Sequence, residues 1–127
     1  LFRSAQESKT KATLKLAEVQ IILNAKIICG HDKLEKEVGY AFASDLMSDV
    51  LTLDSGNLML LTGLANLQAI RTAEMSDIST IVFVRCKKVS EEMITLAKEN
   101  GMVLMEADIT MFHASGLLFK AGIKPVF

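Results

Sequence analysis

The sequence predicts an α/β domain with a mainly parallel sheet. Apolar runs of strand length recur along the chain, stretches with helical periodicity lie between them, and several of those stretches open on a capping residue. Strands alternating with helices at this spacing imply right-handed crossovers between parallel neighbours. A chain of 127 residues has the size of one domain and buries about 65–70 per cent of the surface its unfolded form exposes.

Residues 1–12 (LFRSAQESKTKA) are polar and lack an initiator methionine. They are expected to be a linker or appended stretch, with one domain occupying residues 13–127. Residues 15–24 have an amphipathic pattern with Leu16, Val19 and Leu23 on one side, and residues 25–29 (AKIIC) follow as a strand. A charged turn at 31–36 leads to a strand at 38–42. Residues 57–62 (NLMLLT) repeat the strand pattern, Gly63 breaks it, and Asn66 can cap a helix to about Met75 with Ile70 and Ala73 inward. Residues 80–84 (TIVFV) form a continuous run suited to a strand covered on both faces.

The next helix is the best marked. Ser90 caps it, Glu91 and Glu92 suit the positive end of its dipole, Val89, Met93, Leu96 and Ala97 form its apolar stripe, and Gly101 closes it. Residues 102–105 give a strand. Thr110 then caps a last helix with apolar positions at Met111, Phe112, Leu118 and Ala121, stopped by Gly122 and Pro125.

Composition excludes several function classes. The net charge of −1, from 14 basic and 15 acidic residues, provides no field for nucleic acid or an anionic membrane. With no Trp and one Tyr, a base-stacking platform is not expected. The apolar runs at 58–61 and 81–84 fall far short of the roughly 20 residues of a bilayer span. Cys29 and Cys86 have no CxxC partner, so two reduced thiols in a cytoplasmic protein are expected rather than a zinc site or disulfide framework. The seven methionines fall mostly on strands and helix faces, as core filler does.

In open α/β sheets ligands bind beyond the carboxyl ends of the strands. Two loops fall there. In residues 43–49, Ser44, Asp45, Ser48 and Asp49 supply hydroxyls and acceptors. In residues 62–66, Gly63 permits close backbone approach between Thr62 and Asn66, and helix amides can face an anion. Ser44, Asp45, Ser48, Thr62, Gly63 and Asn66 are therefore the candidate ligand-binding residues. Plainer readings stand beside them: Ser44 or Asp45 caps a short helix with Asp49 solvated, and Thr62–Gly63 is a tight turn without a ligand.

Asp45 and Asp49, four apart, can share a helical face as an acid/base pair or cation site requires, but no third ligand accompanies them. Neither loop matches a P-loop or GxGxxG. Arg71 falls in mid-helix, a surface position unless it points into the same pocket. His31 and His113 lack an orienting neighbour in sequence. No nucleophile, base and orienting group come together, so no catalytic residue, metal ligand or cofactor is assigned and an enzyme is not expected.

The stretches LAEVQIILNAKIICG, GYAFASDLMSDVL and NLMLLTGLANLQAIRTAEMSDISTIVFV, in that order and spacing, resemble the DRTGG domain family over about residues 13–122. That module occurs alone or joined to CBS, phosphotransacetylase or cobyrinic-acid-synthase-like domains. The resemblance implies a three-layer α/β/α sandwich with a parallel or mixed sheet, related to the amino-terminal domains of HPr kinase/phosphatase and the Mur ligases. Family members often carry a Gly-Asp-Arg turn after the strand; here the residues are Gly63, Leu64, Ala65 and Asn66.

The resemblance further implies a regulatory, ligand-sensing module without chemistry of its own, and its stand-alone members accompany hydrogenase and other redox genes. The expected function is a non-catalytic regulatory or small-ligand-binding domain, with nucleotides and phosphorylated metabolites as ligand classes. The alternative is an interaction or oligomerisation module serving a redox or metabolic enzyme. Half the residues are apolar and the chain ends IKPVF, which predicts a homodimer using part of residues 117–127.

Overall fold

The computed structural model describes residues 13–53 and 57–127; the expected linker at 1–12 lies outside them. A six-stranded mixed sheet forms the middle layer, in the order β2-β7-β6-β5-β4-β8. Its strands are β2 (Lys26–Cys29), β4 (Tyr40–Ala43), β5 (Leu58–Thr62), β6 (Thr80–Phe83), β7 (Val103–Glu106) and β8 (Lys124–Pro125). The pairs from β7 through β8 are parallel, and β2 joins the edge antiparallel to β7. β1 (Leu14–Lys15) and β3 (Glu37–Val38) make a separate antiparallel pair.

The single strand expected at 38–42 is therefore two. Gly39, buried between them, donates its amide to the carbonyl and side-chain oxygens of Asn57 at 3.1 and 3.0 Å, and the chain steps there from the small ribbon into the main sheet. The two-residue β8 has no counterpart among the expected elements.

Alternation along the central strands sorts their side chains into two cores. Met59, Leu61, Val82, Val84, Val103 and Met105 face one layer, with Leu16, Val19 and Leu23 of α1 (Leu16–Leu23) and Ala114 and Leu118 of α5 (Met111–Lys120). Leu58, Leu60, Ile81, Phe83 and Leu104 face the other, where α2 (Met47–Val50), α3 (Leu67–Met75) and α4 (Glu91–Glu99) pack through Val50, Ile70 and Met93. The result is the α/β/α sandwich.

Three helices begin on the residues that local chemistry selects. Asn66, Ser90 and Thr110 accept from the amides of Ala69, Met93 and His113 at 3.0, 3.2 and 3.1 Å, satisfying donors that the first helical turn leaves free. Gly101 ends α4 at φ 65°, a conformation that glycine adopts without a side-chain clash. On α5 the inward residues are Ala114 and Leu118; Phe112 and Ala121 lie exposed, contrary to the expected apolar face.

Candidate functional site

The crossovers from β4, β5 and β6 run to the α2/α3/α4 face, whereas the one leaving β7 runs through α5 on the opposite face. Adjacent strands β6 and β7 thus send their connections to opposite sides. In open α/β sheets the carboxyl ends of the strands beside such a topological switch point are where ligands bind.

Asp45, Thr62 and Gly63 meet at that edge because β4 and β5 are parallel neighbours, with Ala43 paired to Leu61. Asp45 Oδ1 accepts from the Gly63 amide at 2.6 Å and from the Thr62 hydroxyl at 3.1 Å. The Thr62 oxygen in turn accepts from the Leu64 amide at 3.1 Å, and Thr62 is fully buried. Asp45 Oδ2 takes the Arg85 guanidinium at 2.8 Å, each side chain nearly half exposed. One carboxylate therefore holds an amide, a hydroxyl and a guanidinium on a single point.

Arg85 is held there by its backbone. Arg85 and Cys86 both adopt left-handed conformations, at φ 63° and 60°, and the Arg85 amide donates to the Ile109 carbonyl at 2.8 Å. A left-handed residue with a Cβ costs of order 1 kcal/mol or more, so two in succession are an expense the surroundings must hold in place. The turn sets the guanidinium against Gly63, where an added Cβ would overlap it. Glycine at 63 is what gives the arginine its seat.

The other expected residues have local roles. Ser44 Oγ accepts from the Leu46 amide at 3.0 Å, and Ser48 lies exposed on α2. Asn66 is engaged in capping α3. Neither Ser44 nor Asp45 caps α2, whose N-cap is Leu46 without a side-chain bond. Asp45 precedes the helix and Asp49 is exposed within it, so the two share no helical face. Arg71 is exposed on α3; the cation that meets Asp45 at the strand ends is Arg85, which follows the TIVFV run.

Glu106 is a second residue that composition and spacing did not single out. It is 8% exposed, accepts from the Val89 amide at 2.8 Å, and lies 3.6 Å from Lys88 Nζ, so its charge is spent on fixing the β6–α4 connection. Among the described residues no three His, Cys, Asp or Glu side chains are grouped to hold a metal ion, and no helix is long and apolar enough to cross a membrane.

Both cysteines are free. Burial pushes the Cys29 thiol above its ordinary range, while Cys86 is exposed beside Arg85. A colorimetric disulfide reagent is expected to titrate one thiol promptly in the native protein and the second only in denaturant. Two prompt thiols would contradict the packing of Cys29.

The fold is DRTGG-like. It is similar to the crystal structure of the CBS and DRTGG domains of the regulatory region of Clostridium perfringens pyrophosphatase, complexed with its activator diadenosine tetraphosphate, with a TM-score of 0.72 at 16% identity. The match covers 90% of this chain and 50% of that one, so the chain spans about half the length of that structure. No protein-family model matches the sequence, and no curated protein does.

Proposed function

We propose that the domain is a non-catalytic regulatory module that binds a small anionic ligand, of the nucleotide or phosphorylated-metabolite class, at the carboxyl edge of its sheet. The carrying observation is the convergence of the Arg85 guanidinium, the Gly63 amide and the Thr62 hydroxyl on one carboxylate at the carboxyl ends of the strands. Backbone strain at Arg85 and Cys86 supports the reading, since such strain collects at ligand clamps and switches. The similar fold comes from the regulatory region of an enzyme crystallised with a nucleotide activator, which is consistent with this role. Of the residues expected from sequence, Asp45, Thr62 and Gly63 belong to this site, with Arg85 added.

A thermal-shift screen of nucleotides and phosphorylated metabolites tests the proposal. A ligand present at about 100 times its dissociation constant adds about 2.7 kcal/mol of stability, and a screen of these classes without any shift counts against it.

A second reading, assembly between copies, rests on α5. Phe112 and Phe119 are 89% and 69% exposed, and with Gly116 and Pro125 they line a recess of ≈ 330 Å³ over Ala41 and Leu61. The carboxyl end is partly used within the chain: Ile123 is buried, and the Phe127 ring meets Phe42 edge-on at 6.2 Å. An apolar helix face of this kind is covered in stable assemblies. Light scattering at about 100 times a micromolar dissociation constant is expected to give the mass of a dimer, reduced to a monomer by Phe119→Lys. A wild-type monomer under those conditions removes this reading.

A further inference from the structure

We infer that Asp45 is a resident plug: its carboxylate occupies, in cis, the anion seat formed by Arg85, Gly63 and Thr62, and a phosphate-bearing ligand binds by displacing it. The inference rests on the anion-site reading above and names the ligand chemistry and regulation of that same site.

The geometry separates Asp45 from the ordinary work of an aspartate at this position. An acid at the N-cap commonly serves the first helical amides, but the N-cap of α2 is Leu46, without a side-chain cap, Asp45 lies one position further out, and the Leu46 amide is served by Ser44. The Asp45 carboxylate turns away from its own segment and takes three donors contributed by β5, the turn after β5, and the turn after β6. Two of these sit on Oδ1 and the third on Oδ2. That is how a carboxylate fills a site whose donors also suit a tetrahedral oxyanion.

The plug can leave. Its side chain is 45% exposed, and it lies in a turn with Leu46 58% exposed, ahead of the point where buried Met47 and Val50 anchor α2. Its ion pair with Arg85 is of the half-solvated kind that contributes about 1 kcal/mol or less. What remains behind is a guanidinium fork, a backbone amide and the hydroxyl of a buried threonine.

Competition defines the ligand class. A tethered carboxylate presents itself at an effective concentration in the millimolar range, so a free monocarboxylate brings nothing that Asp45 lacks. A phosphoryl or pyrophosphoryl group carries more charge and a third oxygen, allowing each donor its own acceptor. Its entry also cuts the tie between the β4–α2 and β6–α4 connections, which Asp45 and Arg85 now hold together. Ligand occupancy is thereby coupled to the position of the Ser44–Leu46 turn ahead of the core-anchored α2, a change that a neighbouring domain or partner can read.

The test is calorimetric titration of inorganic pyrophosphate, with acetate as the carboxylate control, into the wild-type chain and into Asp45→Asn. Asparagine keeps the shape and drops the charge. The variant is expected to bind pyrophosphate about tenfold tighter or more, the factor that follows when the open form is populated to a tenth or less, and acetate is expected to bind neither protein. In the wild type, pyrophosphate is expected to move the Gly63, Ser44 and Leu46 amide resonances together.

If the wild type binds pyrophosphate and Asp45→Asn binds it no tighter, Asp45 is not a competitor, and the anion site stands without a plug. If neither binds at millimolar pyrophosphate and the Gly63 amide stays in place, the anion site itself falls and the plug falls with it. Should Asp45→Asn fail to fold, the wild-type spectrum decides: a moving Gly63 with Ser44 and Leu46 unmoved overturns displacement.

Discussion

Arg85→Gln is expected to weaken pyrophosphate binding about 10- to 150-fold while leaving the melting temperature within a few degrees of wild type. The two effects separate because the same side chain makes contacts of different worth. In the free protein its pair with Asp45 at 2.8 Å is nearly half exposed on both sides, and such pairs contribute about 1 kcal/mol or less. Toward a bound phosphate it supplies charge-assisted hydrogen bonds worth about 1.5–3 kcal/mol, with no other Arg or Lys bonded to Asp45 among the contacts described. Calorimetry and a thermal melt on the same sample check both halves. Unchanged affinity would remove Arg85 from the site, whereas a large loss of stability would make it structural.

Phe83→Ala is expected to cost about 3–5 kcal/mol, the range for deleting a fully buried aromatic side chain. Phe83 is 0% exposed at the carboxyl end of β6 and belongs to the core beneath α2, α3 and α4. In urea, with a slope of about 2 kcal/mol/M for a domain of this size, the midpoint should fall by about 2 M with the slope unchanged. The loss approaches the whole stability of a marginal domain, about 5–15 kcal/mol. A shift below about 0.5 M, a quarter of that expected from the same slope, would mean that the core under this face is not packed as described.

The residues that sequence alone could place are those whose roles are local. The TIVFV run, the caps at Asn66, Ser90 and Thr110, and Gly101 after α4 depend on neighbours within a few positions, and the structure has each of them as expected. The site is half local. Asp45, Thr62 and Gly63 could be proposed together because each lies at or just beyond the carboxyl end of one strand of a parallel pair. Arg85's contact with Asp45 was not legible in the same way, because its position depends on two consecutive left-handed residues and a bond to Ile109, both set by tertiary packing.

The same distinction explains the misses in the fold. The break at Gly39 exists because β3 pairs with β1, more than twenty positions away. Phe112 faces outward because α5 meets the sheet through Ala114 and Leu118, a choice of rotation that a helix with apolar residues on several faces leaves open. The signal for Arg85 was nonetheless present: a cation directly after the most continuous strand must emerge at the ligand-bearing edge of an α/β sheet.

The ends of the sheet bear on how copies of the chain can meet. At one margin β8 is two residues long and includes Pro125, which has no amide to offer a further strand. At the other, β2 begins with exposed Lys26 and shifts register between Ile27 and Cys29. A short, proline-bearing border and a charged, bulged one are both devices that discourage uncontrolled strand addition. Polymerisation through the open ladder is thereby disfavoured from either side, so a chain that meets another copy edge to edge finds no long, flat strand to extend.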